Sequence, residues 1–312
     1  MRLYVCVTDN DWFNFLKDSE YREINFWRPG GRTGFRALNK GEILLFKLHY
    51  PLNYIVGGGF FLDYLCLPAS VAWDAYGTAN GMRSSADFYN RIYHYRGTRY
   101  QDDPNPEIGC IMLSDPFYFP RAKWIEIPSD WNRNIVQGKT YDTENAIGKQ
   151  LFERVKDSFL DSLNLKNYTD IEIEETVEQR FGKEQIITPR LGQSSFMVMV
   201  LNAYGRKCAI TGEKTLPVLQ AAHIRPYSQE GPHSLGNGLS LRSDFHALFD
   251  RGYITIDRDY RILVSKSIKE EFGNGREYYA YHGQSLSVLP DMLDHRPQFE
   301  FLEWHNEKVY TG

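Results

Sequence analysis

The sequence of 312 residues contains few cysteines and no long apolar run. Its four cysteines, Cys6, Cys66, Cys110 and Cys208, are far apart and follow no spacing pattern, which argues for reduced thiols and against a disulfide framework. No apolar run approaches the length that spans a membrane, and the N-terminal residues MRLYVCVTDNDWF lack the basic and apolar regions of a signal peptide. We therefore expect a soluble cytoplasmic protein without a membrane partner.

The chain also lacks a strong net charge. Its formal net charge of −4 at pH 7 gives no global basic signature, so any nucleic-acid role must depend on local patches. Basic residues do gather along two short stretches and, more widely spaced, between residues 206 and 251, although the usual meaning of scattered arginines is a solvated surface. The clustered residues are Arg22, Arg28, Arg32 and Arg36, then Arg83, Arg91, Arg96 and Arg99, and finally Arg206, Lys207, Arg225, Arg242 and Arg251.

At this length the chain can form two domains, each with its own core.

Residues 208–257 contain two short apolar runs separated by a glycine-rich loop. The first run, Val218 to Ile224, predicts a strand, and Pro226 forbids further pairing soon after His223. The loop GPHSLGNG leads to the second run, Leu239 to Leu241, which predicts a second strand. The two runs therefore form a hairpin that brings His223 out at a strand end.

The segment DFHALFD after the second run predicts a helix, with Ser243 or Asp244 as its N-cap. Two short strands packed against a helix leave a V-shaped gap between the hairpin and the helix. This gap can hold little more than a metal ion and a phosphate. His223 on the first strand and His246 on the helix can both face this gap. Asn237 lies at the end of the loop, where an amide can bond the backbone groups of a turn.

The runs LxAAHIxP, NGLxL and HxLFDxGxI together resemble the HNH nuclease family, which has the ββα-metal fold. The resemblance implies that His223 is the general base that takes a proton from water for attack on phosphorus. It implies that Asn237 orients this histidine and braces the loop, and that His246 is a ligand of a single divalent metal. We expect Mg²⁺ as that metal, while an imidazole ligand also suits Mn²⁺, Co²⁺ or Ni²⁺.

Two positions depart from the family pattern. Many members place Asp or His directly before the first histidine as a second metal ligand, and this chain has Ala222 there. Asp244 and Asp250 are nearby carboxylates that could serve instead, and Asp250 could also simply cap the following turn. Many members also carry two CxxC pairs for a structural zinc, whereas here Cys208 is followed by Thr211 and Gly212 and forms no such pair. We therefore expect no structural zinc.

The other histidines receive structural interpretations. His233 lies in the loop between the strands, where it could touch a phosphate or face solvent, and we favour solvent. A lone histidine is more often a hydrogen-bonded scaffold residue than a catalyst, and that interpretation is given to His94, His282, His295 and His305.

Residues 1–128 are rich in aromatic residues and read mostly as strands, with a helical stretch that Asn80 and Gly81 interrupt. The FW-(R/K)-P element, the GxxLLFK and GGGFF strands and the helix that carries Trp73 are similar to the PUA superfamily, in particular its EVE and SRA-like branches. The resemblance implies a small barrel that accepts a flipped or unpaired modified base between aromatic faces. The candidate pocket residues are Phe26, Trp27, Phe35, Tyr54, Phe60 and Trp73 as walls, with Asp63 as acceptor for an exocyclic amine.

Most aromatic residues in a barrel belong to the core. Only Trp27, beside Arg28 and Pro29, is given equal odds of lying in the core or in the pocket.

Residues 129–186 are predicted to form a connector, with one amphipathic helix followed by an acidic run. We interpret the acidic run as a solvent-exposed face of the linker. The alternative is an acidic surface that repels DNA. The predicted fold class is α+β: a PUA-like small β-barrel with helices over 1–128, a helical linker over 129–186, and a ββα-metal nuclease domain over 187–312.

These features together predict a modification-dependent, type IV-like restriction endonuclease that hydrolyses double-stranded DNA carrying 5-methylcytosine or a related modified cytosine. Two other functions stay open: an HNH endonuclease with an ordinary DNA-docking domain, and a non-catalytic binder of modified DNA. Cleavage of both strands with one site per chain suggests a homodimer or two sequential nicks. The expected phosphate contacts are Arg225, Arg190, Arg242 and Arg32.

Overall fold

The structure is a computed structural model that describes residues 1–31, 34–97, 103–164 and 191–312, without the side chains of 162–164. The chain divides into two compact units, Met1–Arg190 and Leu191–Gly312. Helices and strands occur in both units, in agreement with the predicted α+β class. Within the described ranges, no helix has the length and apolar character needed to cross a membrane.

The strands of the first unit form one mixed seven-stranded sheet with the order β2-β5-β4-β3-β1-β7, and β6 pairs with β4. Strands β1 and β3 are parallel, and the other pairs are antiparallel. The described pairings leave β2 and β7 at the ends of this order, so a closed barrel stays a prediction. The elements are β1 (Arg2–Thr8), α1 (Asn10–Leu16), β2 (Glu23–Arg28), β3 (Ile43–Leu48), β4 (Tyr54–Pro68), α2 (Ala69–Tyr76), α3 (Ser85–Arg96), β5 (Glu107–Tyr118), β6 (Ile125–Glu126), β7 (Gly138–Asp142) and α4 (Ala146–Asn164).

The predicted interruption between α2 and α3 is confirmed. A short 3₁₀ helix, Gly77–Asn80, follows α2 and ends at Gly81, which has a φ of +77°. A Cβ at Gly81 would lie 2.1 Å from Cδ1 of Trp12, so both the backbone conformation and the packing favour glycine here. Helix α3 then begins where the Ser84 hydroxyl accepts a hydrogen bond from the backbone N–H of Asp87.

Strand β7 and helix α4 pack within the first unit, although the sequence places them in a connector that begins at residue 129. Leu151, Val155 and Phe159 of α4 are buried in the same cluster as Leu3 and Ile43 of the sheet. Their four-residue spacing is the amphipathic pattern predicted from the sequence, and its apolar face covers the sheet. The acidic run of the predicted connector lies outside the described residues.

The second unit holds the predicted strand, loop, strand and helix inside a larger mixed core. Its largest fully buried side chains include Phe196, Tyr204, Phe245 and Phe249. The small hairpin and helix therefore gain their stability from the surrounding elements. These elements are α5 (Gln193–Ala203), β8 (Leu219–His223), β9 (Gly238–Arg242), α6 (Ser243–Asp250), β10 (Ile254–Ile256), β11 (Ile262–Val264), α7 (Ser267–Phe272), α8 (Arg276–Tyr279) and α9 (Phe299–Lys308).

Two local predictions for this unit are wrong. Arg242 occupies the N-cap position of α6, and no side chain caps the helix, because Ser243 is already helical and Asp244 bonds the Arg242 guanidinium. The segment QSLSVLP (284–290), whose apolar residues predict a strand, forms only an isolated bridge between Ser285 and Arg261. Apolar alternation in so short a segment does not supply a partner strand long enough for a ladder.

His305 on α9 is a structural residue, as predicted. Its ring stacks on Phe249 with centroids 3.7 Å apart, and its two nitrogens lie 2.8 Å from the Thr255 hydroxyl and 3.1 Å from the Phe249 carbonyl. The Nε2–H donates to that carbonyl, so the neutral imidazole is satisfied in the core. Burial lowers the pKa of His305 to about 4.

This buried histidine should make the second unit less stable in acid. The unfolded imidazole takes up a proton near pH 6.5 and the folded one only near pH 4, so the unfolded state binds more protons between these values. The free energy of unfolding should therefore fall as the pH drops from 6.5 towards 4, by up to about 1.4 kcal/mol per pH unit for one group.

The variant His305→Gln, which keeps a donor for the Phe249 carbonyl, should show a smaller fall. His223 has a similarly lowered pKa, so part of the slope should remain. Urea unfolding followed by circular dichroism at pH 4.5 and pH 7.5 measures the difference. An unchanged slope in His305→Gln would show that the pH dependence arises elsewhere.

Candidate active site

His223 is the last residue of β8 and pairs with Gly238, the first residue of β9. Its ring stacks on Phe196 of α5, with centroids 3.8 Å apart and an interplanar angle of 12°. A Cβ at Gly238 would lie 2.5 Å from a Val200 methyl group and about 3.1 Å from the Phe196 ring. Glycine at this position therefore lets α5 approach the hairpin and hold the His223 ring.

The environment of His223 keeps its imidazole neutral near pH 7. Burial is the largest cause of the lowered pKa, about 4, and the charges of His233 and His246 lower it further. A neutral imidazole is the form that can accept a proton.

Asn237 fixes the loop that joins the two strands. Its fully buried side chain accepts a hydrogen bond from the Arg225 backbone N–H at 2.8 Å and donates to the carbonyls of Arg225 and Pro232, each at 2.9 Å. Its own backbone carbonyl accepts from the Ile224 N–H at 2.9 Å. The amide therefore ties the end of β8, next to His223, to the far side of the loop.

His246 on α6 connects the helix to β8. Its Nδ1 lies 2.7 Å from Oε1 of Gln220, and its Nε2 lies 3.3 Å from Oδ2 of Asp250 one turn later. Because the Gln220 oxygen can only accept, Nδ1 carries the hydrogen, and the lone pair of a neutral ring is on Nε2 beside Asp250. Burial raises the pKa of Asp250, while His246 and Arg251 oppose that shift.

This donor set fits a divalent cation that keeps open positions. An imidazole nitrogen and a carboxylate on one helix face supply two ligands, and Mg²⁺ is commonly held by one or two carboxylates together with water and substrate phosphates. The described residues contain no group of three or more His, Cys, Asp or Glu side chains placed to hold a metal. Asp244, the predicted ligand, instead pairs with Arg242 through two contacts of 2.7 Å.

The predicted phosphate contacts differ in their surroundings. Arg242 is engaged by Asp244 and, at 2.9 Å, by Glu277. Arg225 donates from Nε to the Gln229 carbonyl at 2.6 Å, and its guanidinium lies over the Trp304 ring. Arg32 and Arg190 lie outside the described residues.

The prediction that His233 faces solvent is wrong. Its Nδ1 lies 2.9 Å from Nε2 of His223, and its half-buried ring stacks on Tyr227 with centroids 5.0 Å apart. The sequence contains one signal for this contact. A hairpin brings the ends of its loop together, so a histidine four residues before Asn237 can fold back on the strand end.

In the first unit, the structure separates the candidate pocket residues. Phe26 stacks with Phe46 in the core, and Phe60 packs against Phe117. Trp27 donates from its indole N–H to the Asn80 carbonyl at 3.0 Å and packs, like Trp73, against Phe88, while Tyr54 lies beside Trp124. Phe35 and Asp63 alone among the predicted seven line a surface cavity of about 430 Å³, together with Gly34, Arg36, Leu38, Asn39, Lys40, Phe61 and Tyr64.

Residues 208–257 match the family model described as HNH endonuclease. The matched range coincides with the hairpin and helix that carry His223, Asn237 and His246. The second unit therefore contains a segment that is similar to the HNH endonucleases, a class of metal-dependent DNA endonucleases. Comparison with curated proteins gives no match.

Three solved structures show low similarity. The ASCH protein from Zymomonas mobilis is 10% identical with a TM-score of 0.35, and the alignment covers 48% of this chain and 94% of that chain. The modification-dependent TagI restriction endonuclease is 12% identical with a TM-score of 0.28, covering 97% and 81%. The type IV phosphorothioation-dependent restriction endonuclease ScoMcrA is 10% identical with a TM-score of 0.22, covering 78% and 45%. At these scores the similarity carries no information about activity.

The three hydrogen bonds of the Asn237 amide give a sharp test of the site. In Asn237→Asp a carboxylate oxygen replaces the NH₂ group that faces two carbonyl oxygens, so two bonds become repulsive contacts in a buried place. We expect destabilisation of about 3 kcal/mol or more, because the buried charge keeps only the hydrogen bond from the Arg225 N–H and faces two carbonyl oxygens. Thermal and urea unfolding measure this loss.

A matched variant is Asn202→Asp, since Asn202 lies exposed near the end of α5. Its effect should be within about 0.5 kcal/mol, as is usual for surface substitutions. Equal effects of the two variants would contradict the bracing role of Asn237.

Proposed function

We propose that this chain is a modification-dependent restriction endonuclease, in which the first unit reads a modified cytosine and the second hydrolyses the DNA backbone. The observation that carries the nuclease half is the arrangement of a neutral His223, a loop braced by Asn237, and His246 beside Asp250. The HNH family match over the same residues supports it.

In the proposed reaction, His223 acts as the general base. A water oxygen forms a bond to phosphorus as the bond from phosphorus to the 3′ oxygen breaks, and the water proton goes to the imidazole. The 3′ oxygen then takes a proton from solvent, and His223 returns its proton to solvent. The phosphodiester anion raises the pKa of His223 when it binds, which strengthens the base at the moment of use.

His246 and Asp250 are the residues that would hold the divalent metal. When bound, such an ion stabilises the negative charge that develops on the phosphate and the departing oxygen. The Gln220 oxygen accepts the Nδ1–H of His246 and so keeps the Nε2 lone pair directed towards Asp250. Asp250 takes the place first assigned to Asp244, whose carboxylate is already paired with Arg242.

Arg225 remains the best described candidate for a phosphate contact, because its guanidinium is held by the Gln229 carbonyl and its nearest carboxylate, Glu230, is 3.7 Å away. Arg242 is a weaker candidate, since Asp244 and Glu277 neutralise its charge. The roles of Arg32 and Arg190 stay predictions from the sequence.

The cavity lined by Phe35 and Asp63 supports the reader half of the proposal. Phe35, Phe61 and Tyr64 supply aromatic surface for a base and its methyl group. The Asp63 carboxylate lies 3.4 Å from Nζ of the exposed Lys40, and it can instead accept from the exocyclic amine of cytosine. The cavity is therefore the proposed site for 5-methylcytosine or a related base.

The proposed function predicts preferential cleavage of modified DNA. Plasmids that are matched in sequence but differ in cytosine methylation should be digested with Mg²⁺ or Mn²⁺ by the wild type and by His223→Ala. We expect the methylated plasmid to be cut at least about tenfold faster, and His223→Ala to lose at least about a hundredfold in rate, which is typical of a lost general base.

Two results would favour the other functions, and the form of the product distinguishes a homodimer from sequential nicking. Equal cutting of both plasmids would favour an ordinary docking module in the first unit. Intact DNA under all conditions would favour a non-catalytic binder. Cutting by a homodimer would give linear product directly, whereas sequential nicks would give open circles first.

The cavity itself can be tested with Phe35→Ala and a matched aromatic control, Tyr54→Ala. Tyr54 is partly exposed and packs on Trp124 outside the cavity. Phe35→Ala should lose stacking worth about 1–3 kcal/mol, and so lower the preference for methylated DNA by roughly tenfold or more. Competition binding of methylated and unmethylated duplexes measures the preference, and an equal loss in Tyr54→Ala would refute the assignment of the pocket.

A further inference from the structure

His233 makes a direct contact with the proposed general base, and none of the roles assigned so far accounts for it. Nδ1 of His233 lies 2.9 Å from Nε2 of His223, and the two ring planes are inclined by 66°. This distance is that of a hydrogen bond between ring nitrogens, in which one nitrogen donates and the other accepts.

The direction of this hydrogen bond decides whether His223 can act as a base. If Nε2–H of His223 donates, the lone pair of His223 is on Nδ1, which has no hydrogen-bond partner among the described residues. If His233 donates instead, the lone pair of His223 is used in the contact, and Nδ1 carries the hydrogen. Only the first arrangement leaves a nitrogen that can take a proton from water.

The surrounding contacts hold His233 in place for this role. The Asn237 amide donates to the carbonyl of Pro232, which fixes the backbone directly before His233. Tyr227 stacks on the His233 ring at an interplanar angle of 14°, and the Phe196 ring that stacks on His223 also lies 5.7 Å from His233. The loop position, the ring plane and the contact with His223 are therefore fixed together.

We propose that His233 is a positioning residue for DNA cleavage: its Nδ1 accepts the Nε2–H of His223 and leaves Nδ1 of His223 free to take the proton from water. When His223 has taken that proton, its Nε2–H stays bonded to His233, and the bond becomes charge-assisted. No proton needs to pass to His233. This inference rests on the proposed role of His223 in cleavage and is independent of which base the first unit reads.

The matched pair His233→Asn and His233→Leu tests the proposal, because the two side chains have nearly the same shape. Asn presents its Oδ1 as an acceptor where Nδ1 of His233 lies, and Leu presents none. We expect His233→Leu to lower kcat by roughly 10- to 100-fold, which is typical of a lost orienting partner, with KM and DNA affinity within about twofold. His233→Asn should recover at least about half of the wild-type kcat on the same plasmid.

A control variant separates this effect from a general loss of imidazole contacts. Nδ1 of His282 also accepts a hydrogen bond. Its donor is the backbone N–H of Val264 on β11, at 3.0 Å, and not a histidine of the candidate site. His282→Leu should keep the wild-type kcat in molecules that remain folded, as circular dichroism checks. The proposal is overturned if His233→Leu keeps kcat within about threefold of wild type, or if His233→Asn is as inactive as His233→Leu. A loss confined to KM would also overturn it, since that result assigns His233 to phosphate binding.

The tautomer of His223 gives a readout that needs no cleavage. Selective ¹⁵N labelling of histidine and long-range ¹H–¹⁵N correlation should show His223 protonated on Nε2 in the wild type and in His233→Asn. In His233→Leu the spectrum should shift towards a mixture of tautomers. A wild-type His223 protonated on Nδ1 would overturn the proposal even if no tested plasmid is cut, whereas absent cleavage with the expected tautomer would count against the proposed function alone.

Discussion

The hydrogen bonds of the buried Asn237 amide are the constraint on which the candidate active site depends. One end of the amide holds the backbone at Arg225, two residues after His223, and the other reaches Pro232, directly before His233. A single side chain therefore sets the position of two imidazoles that come from different parts of the loop. Burial makes these bonds expensive to lose, because no water can replace a missing partner.

The strand, loop, strand and helix that carry the candidate site were predicted from the sequence because neighbouring residues form them. Residues that are close in sequence determine three features: the end of the strand before Pro226, the length of the loop, and the start of the helix after β9. The contact of His233 was missed because it depends on the path of the loop, and no periodicity encodes a loop path. The helix cap was missed for a similar reason, since the Arg242 guanidinium competes for the Asp244 carboxylate.

The first unit was predicted less completely, because aromatic residues look alike in sequence whether they fill a core or line a cavity. Along β4 the register against β5 shifts between Gly58 and Phe60 and again between Phe61 and Asp63. Each shift changes which face of the sheet the following side chains occupy. In the structure Phe60 is buried in the core and Asp63 lines the cavity. The alternation of inward and outward side chains along a regular strand cannot predict these two positions.

The electrostatics of the second unit link the protonation of His223, the proposed general base, to the presence of substrate. Burial and two neighbouring imidazoles lower the pKa of His223 to about 4, so the free protein holds this ring neutral but weakly basic. A phosphodiester brought into the gap adds a negative charge that favours the protonated form and so strengthens the base. At the same time Arg242 is already paired with Asp244 and Glu277, so its charge contributes little to that gap. In the proposed reaction, the basicity of His223 therefore depends on the bound phosphodiester more than on the charge of Arg242.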